Sequence, residues 1–280
     1  MTDSGTIPVL GVHGVWNHQG GLEPQAAAER IADWWRDAIA AGIGRPAEDS
    51  PFQVTMAYYA HHLRTRTAQG PDDLEALDTA TQADIVEWAR LLGAEEPVVQ
   101  GWLTAPARAA VSWVATRFGL NHALARGLAR AFFSELGAYF TDHDRRAAAR
   151  TQVTNALHHT RPRVLIAHSL GSAVAYEALW AAPHPPIELL ITLGSPLAMP
   201  HLVFDRLAPH PGPRRKPPGV NRWINITDPG DIIAIPPGGV RTRFAEVTSD
   251  LANAIGAFDF HRSTTYLKNA VTAAALTPYL

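Results

Sequence analysis

The chain has 280 residues, of which 46% are hydrophobic and 18% charged, and its formal net charge is −2. This composition supplies a packed interior for one large α/β domain with an insertion, and it excludes a disordered chain. The small net charge gives no general attraction to nucleic acid. The sequence has no cysteine, which excludes disulfide bonds, thiolate metal sites and a cysteine nucleophile.

No segment has the pattern of a secretory signal or of a membrane span. Residues 1–8 lack a basic start and an apolar stretch of about 7–15 residues. No run of about 18 apolar residues occurs anywhere in the sequence. We therefore expect a cytoplasmic protein. The one basic cluster, residues 214–216, lies among prolines and predicts a solvated loop without a binding role.

Strand and helix patterns alternate along most of the chain. Residues 7–12 form a short apolar run, which predicts a buried parallel strand. Residues 24–43 carry apolar side chains at helical spacing. The later segments are predicted strands at 52–59, 163–167, 187–193, 222–227 and 244–248, and predicted helices at 172–181 and 262–275. This alternation predicts an α/β protein with a mostly parallel sheet of about six strands flanked by helices.

A mostly helical segment rich in aromatic residues interrupts the alternation between residues 61 and 150. We assign residues 1–60 and 151–280 to the α/β core and residues 61–150 to a helical cap or lid insertion. Aromatic residues at helical spacing are typical of core packing. The alternative is that some of them line an apolar pocket for the substrate.

The strongest chemical signal is residues 164–172, an apolar strand that runs into a turn of small residues and then an alanine-rich helix. In a nucleophile elbow, a serine occupies such a turn in strained geometry, and bulky neighbours two positions away would collide. Gly171 satisfies this requirement, and Ala167 stands where glycine is usual. We predict Ser169 as the nucleophile; the alternative is that Ser169 only caps the following helix.

A second turn, at His13-Gly14, follows the first predicted strand. We predict that the backbone N–H groups of Val15 and Leu170 form an oxyanion hole for the substrate carbonyl. An ordinary glycine turn is the alternative. The His168 side chain is expected to point away from its neighbour Ser169. Four residues are assigned to the supporting turns: His13, Gly14, His168 and Gly171.

Two aspartates follow the predicted strand 222–227, where the acid of a triad belongs in the order Ser, Asp, His. We predict Asp231 as the acid and keep Asp228 as the alternative, because an aspartate before a proline often fixes a turn. His261 comes last and is the predicted general base. No histidine pair has the spacing of a zinc-protease helix, so we expect no catalytic metal and no cofactor.

These segments together resemble the α/β-hydrolase superfamily, and more narrowly its lipase-like and esterase-like bacterial members. The resemblance rests on motifs in the expected order: His13-Gly14, residues 168–171, residues 193–196, residues 231–233, and His261 with Tyr266-Leu267. It implies an α/β-hydrolase fold in which Ser195-Pro196 is a structural turn. The sequence departs from the pattern at Ala167, and the superfamily's first two strands have no counterpart in it.

The candidate triad and the resemblance predict a serine hydrolase that acts through an acyl-serine intermediate. The expected substrate is a small-molecule carboxylic ester or thioester with an apolar acyl part, as for an esterase, lipase or thioesterase. An acyltransferase or cyclase would use the same acyl-enzyme, and an amidase or peptidase would share the triad. A catalytically inactive binding protein that keeps the fold is the alternative from another class.

Overall fold

The computed structural model describes residues 5–64, 74–95, 105–209, 213–256 and 261–280. The chain divides into two compact units, one formed by residues 1–61 and 147–280 and the other by residues 62–146. The first unit contains the sheet and all the predicted site residues, and the second is helical. The function of the helical unit as a cap stays a prediction.

One six-stranded sheet forms the centre of the first unit, with the strand order β2-β1-β3-β4-β5-β6. Every adjacent pair in this sheet is parallel. The strands are β1 (Ile7–Val12), β2 (Phe52–Ala57), β3 (Val164–His168), β4 (Ile187–Leu193), β5 (Val220–Thr227) and β6 (Ser249–Ala252). This arrangement confirms the predicted α/β class, and it brings the carboxyl ends of all strands to one edge.

Helices lie between the strands, and five of those in the described residues follow one another between β2 and β3. The described helices are α1 (Pro24–Gly42), α2 (Ala60–Leu63), α3 (Thr79–Leu91), α4 (Pro106–Arg117), α5 (His122–Thr141), α6 (His143–Thr160), α7 (Leu170–Ala181), α8 (Gly239–Arg243), α9 (Ser263–Lys268) and α10 (Ala270–Leu276).

Within the described part of the chain, no helix has the length and hydropathy needed to cross a membrane.

Helix α1 shows how the pattern produces the core of the first unit. Pro24 occupies its first turn, where a missing N–H costs nothing and the fixed φ suits a helix. Ile31, Trp35 and Ile39 repeat every four residues and are fully or almost fully buried in a cluster with strand residues such as Ile166. Burial of this apolar stripe stabilises the helix against the sheet.

Several aromatic residues of the helical unit lie in its core. Trp88, Phe132, Phe133 and Tyr139 are fully buried, and the Trp88 and Phe133 ring centroids lie 5.5 Å apart. These positions therefore favour the core-packing interpretation over the pocket interpretation. Trp102, another aromatic residue of the predicted insertion, lies outside the described residues.

The predicted strand at 244–248 is displaced, because β6 begins only at Ser249. Phe244 instead directly follows α8 and is buried against the Trp223 and Tyr176 rings, at centroid distances of 5.4 and 5.3 Å. The aromatic side chain that suggested a strand thus serves tertiary packing in a loop. A sequence window does not distinguish these two uses of a phenylalanine.

The predicted helix 262–275 is interrupted at Asn269, which separates α9 from α10. Asn269 has extended backbone angles, and its side chain accepts a hydrogen bond from the Val271 N–H. Asparagine favours such caps over helix interiors because its side chain competes for backbone partners.

In the predicted solvated basic loop Arg215 is exposed, as expected, but Arg214 is buried. It is only 8% exposed, and it donates a hydrogen bond to the Leu207 carbonyl. Its guanidinium lies 4.9 Å from the Phe204 ring centroid. Cation–π contact and hydrogen bonding stabilise this buried charge, neither of which the local sequence indicates.

Candidate active site

The predicted elbow has the geometry of a sharp, strained turn between β3 and α7. Ser169 is the single residue between these elements, with φ 53° and ψ −131°. This backbone conformation is costly for a residue with a Cβ and occurs mainly at functional sites. Within the described part of the chain, the Ser169 side chain makes no capping hydrogen bond to α7, so helix capping does not account for this serine.

Gly171 allows the elbow to approach the end of β1. A Cβ at this position would collide with the His13 carbonyl oxygen and would lie 2.6 Å from the Val12 carbonyl oxygen. Because both of these are backbone atoms, they cannot move aside as a flexible side chain could, and a larger residue would displace the backbone. Close approach of the two backbones is therefore the physical reason for a glycine at this position.

His261 connects the serine to a carboxylate. Its Nε2 lies 2.8 Å from the Ser169 Oγ, and its Nδ1 lies 2.9 and 2.8 Å from the two Asp231 oxygens. An ionised carboxylate only accepts hydrogen bonds, so Nδ1 carries the proton and Nε2 accepts from the serine hydroxyl. Ser169 and Asp231 are both buried. The structure thus brings the three predicted triad residues into one hydrogen-bonded line.

The Asp231 carboxylate is held by further donors. Its Oδ1 accepts from the Ile233 N–H at 2.9 Å, and its Oδ2 accepts from the Tyr266 hydroxyl at 2.8 Å. Burial and the neighbouring Asp231 raise the pKa of Tyr266, so the phenol stays protonated and remains a donor. Gly194, with φ +52°, makes room, since a Cβ there would lie 2.9 Å from the Asp231 Oδ2.

Asp228, the alternative acid, binds backbone groups. Its Oδ1 accepts from the Gly230 N–H at 2.7 Å, and its Oδ2 accepts from the Ile255 N–H at 2.6 Å. Its own backbone N–H donates to the Tyr266 hydroxyl at 2.8 Å. The carboxylate that contacts His261 is therefore that of Asp231, while Asp228 fixes the turn and the loop beside it.

The two predicted oxyanion donors lie beside the elbow. Leu170 begins α7, and the first N–H groups of a helix have no partner within it. The turn that contains Val15 lies against Ser169, since a Cβ on Gly14 would come within 2.6 Å of the Ser169 Cβ. The Asn17 amide donates to the Gly14 and Val15 carbonyls at 3.1 and 2.9 Å and so fixes this turn. Asn17 was not predicted, although an asparagine after a glycine turn is a signal of such a role.

His13 supports the same turn as a neutral side chain. Its Nε2 accepts from the Tyr59 N–H at 3.1 Å, so its Nδ1 donates to the Gly14 carbonyl at 2.8 Å. The ring stacks on Tyr59 with 4.3 Å between centroids. Burial lowers the pKa of His13 from its ordinary value of 6.5 to about 4. Both ring nitrogens thus serve structure near neutral pH.

We expect His13 to make the fold sensitive to acid. Its pKa is lower in the folded than in the unfolded state, so the unfolded chain binds more protons between these values. The stabilising contribution of neutral His13 is therefore complete above pH 6.5 and is lost as the pH falls towards 4. Between pH 7 and 5, His13 should account for a loss of about 2 kcal/mol in the free energy of unfolding. The free energy of unfolding can be measured in urea at both pH values. In His13→Asn it should fall between pH 7 and 5 by about 2 kcal/mol less than in the original protein.

The matched control for this prediction is His159→Asn, which replaces an exposed histidine on α6. This variant should keep the pH dependence of the original protein. An unchanged pH dependence in His13→Asn would contradict the assignment of acid sensitivity to this buried ring.

His168 lies beside the general-base candidate. The side chain is buried, and its ring centroid is 5.0 Å from that of His261 and 6.1 Å from that of Tyr266. Burial, and then the proximity of His261, lower the pKa of His168 well below its ordinary value. A neutral ring thus packs against the His261 ring.

Ser195 occupies a structural turn at the end of β4. Its Oγ accepts from the Leu197 N–H at 3.3 Å and caps the 3-10 helix Pro196–Ala198. Within the described residues, no group of three or more His, Asp or Glu side chains is arranged to hold a metal ion.

No family model, curated protein or solved structure matches this chain. The class that the structure itself defines is an α/β protein with a parallel six-stranded sheet. A Ser–His–Asp line lies at the carboxyl edge of that sheet, where ligands bind in open α/β proteins.

Proposed function

We propose that the protein is a serine hydrolase of the α/β-hydrolase superfamily, which cleaves a carboxylic ester or thioester through an acyl-serine intermediate. The observation that carries this proposal is the hydrogen-bonded line from Asp231 through His261 to Ser169. The strained backbone of Ser169 adds support, since it has the form that a nucleophile elbow requires.

In the first half of the reaction, the Ser169 Oγ attacks the carbonyl carbon as the His261 Nε2 accepts the hydroxyl proton. Asp231 stabilises the imidazolium, and the N–H groups of Val15 and Leu170 bind the oxyanion. Collapse of the tetrahedral intermediate breaks the bond to the leaving alcohol or thiol, which takes the proton from Nε2. The acyl group is then bonded to the Ser169 Oγ.

In the second half, water attacks the acyl-serine and gives its proton to the His261 Nε2. The carboxylic acid leaves, and the proton returns to the Ser169 Oγ, so the enzyme is regenerated. We favour esters and thioesters over amides because an amine leaving group demands more complete protonation by the general acid.

Covalent labelling with a fluorophosphonate tests this function without knowledge of the natural substrate. The probe phosphonylates a serine only when a neighbouring base activates it, so we expect one adduct per chain in the intact mass. Peptide mapping should place the adduct on Ser169. The Ser169→Ala variant should give no adduct under the same conditions.

Ser195→Ala is the matched control, because Ser195 also follows a strand of the sheet but caps a turn. This variant should be labelled like the original protein, and circular dichroism should show that all three proteins are folded. An adduct on a serine other than Ser169, or no adduct on the folded original protein, would contradict the proposed function.

A further inference from the structure

Trp16 combines a strained backbone with an exposed side chain. Its φ is +65°, in the left-handed region that a bulky residue rarely adopts. The residue is 61% exposed, the highest value among the exposed tryptophans and phenylalanines of the described chain. A glycine would occupy this position without strain. The fold therefore keeps a large apolar side chain where both its backbone and its exposure are unfavourable.

The local hydrogen bonds hold the backbone of this turn in place. Asn17 donates to the carbonyls of Gly14 and Val15, so the two residues before Trp16 are fixed by the residue after it. His13 donates to the same Gly14 carbonyl. Surroundings that determine a strained conformation in this way are typical of functional sites.

The turn also places Trp16 beside the proposed reaction centre. Two Cα–Cα steps of about 3.8 Å each separate it from Gly14, so the two Cα atoms are at most about 7.6 Å apart. Gly14 itself lies against Ser169. Trp16 directly follows Val15, whose N–H is a proposed oxyanion donor. An indole that starts from this Cα is long enough to reach the substituents of a carbonyl group bound there.

Three large aromatic residues of the described helical unit offer no surface to a substrate. Trp88, Phe132 and Phe133 are fully buried within that unit. The apolar part of a substrate needs an exposed apolar surface near Ser169, and Trp16 supplies one.

We propose that the Trp16 indole is the contact surface for the acyl chain of the substrate and so sets a preference for longer apolar chains. This inference rests on the proposed function, because it assumes that the acyl group becomes bonded to Ser169. Trp16 would determine specificity and take no part in proton transfer.

Two ethyl fluorophosphonates, with a methyl or an octyl chain on phosphorus, test this specificity. We expect the original protein to react faster with the octyl probe. In Trp16→Ala, the labelling rate constant for the octyl probe should fall about tenfold, because burial of apolar area on the indole is lost. The rate constant for the methyl probe should stay within about twofold. Trp16→Phe should retain most of the preference, since a smaller aromatic surface remains.

The matched control is Trp34→Ala on α1, where the tryptophan is 47% exposed. This variant should label like the original protein with both probes. A second variant, Trp16→Gly, should lose the octyl preference and yet unfold at a temperature about 3 °C higher than Trp16→Ala, because glycine relieves the strain.

The outcomes separate this proposal from the proposed function. An octyl-to-methyl ratio in Trp16→Ala equal to that of the original protein would overturn the specificity role alone. An equal loss with both probes would also overturn it, because Trp16 would then support the oxyanion turn and not the chain. Failure of both probes to label the folded original protein would overturn the proposed function and this inference together.

Discussion

Replacement of Asp231 with asparagine is expected to lower kcat about 10⁴-fold on any ester that the protein hydrolyses. The amide keeps nearly the same volume but presents an N–H₂ group that disfavours the tautomer of His261 with a proton on Nδ1. Nε2 then carries the proton and no longer accepts from Ser169. The measurement is kcat on an activated ester, together with the rate of fluorophosphonate labelling.

Asp228→Asn is the matched control for this substitution. Its carboxylate accepts from backbone N–H groups at Gly230 and Ile255, so an amide places donor against donor at one of them. We expect a loss of stability of about 1–3 kcal/mol with kcat reduced less than about tenfold. If the Asp228 variant lost more activity than the Asp231 variant, the acid of the triad would be Asp228 and not Asp231.

Gly171→Ala is expected to destabilise the fold by about 3 kcal/mol, the upper end of the usual range for overpacking. The added methyl group would collide with the carbonyl oxygens of His13 and Val12, so either the elbow or the end of β1 must shift. The proposed oxyanion donors are Leu170 next to the elbow and Val15 in the turn after β1, and labelling by the fluorophosphonate should therefore slow as well. Urea unfolding measures the first effect, and the labelling rate measures the second.

Gly20→Ala is the control for the Gly171 substitution. A Cβ at Gly20 meets no atom within 4 Å, so this variant should differ by less than about 0.5 kcal/mol in the free energy of unfolding. Equal stability of the Gly171 variant and the original protein would show that the backbones are not in the close contact described above.

Much of the fold was predictable because its signals are local. The apolar strands and amphipathic helices show in their periodicity, which predicts the parallel α/β class. The elbow was likewise predicted from a strand, a small-residue turn and a helix that are contiguous around Ser169. The C-terminal part of the chain was predicted less well, because Phe244 packs in a loop and Asn269 caps a second helix.

Local patterns therefore predict the class of fold, the turn that holds Ser169 and the order of the residues around it. The folded chain is needed to show that Asp231, and not Asp228, contacts His261, and that the Tyr266 hydroxyl makes hydrogen bonds with both aspartates. The physical reason is the distance along the chain. Backbone strain and periodicity depend on neighbouring residues, whereas a hydrogen bond between side chains about 30 residues apart depends on where the sheet and its loops bring them.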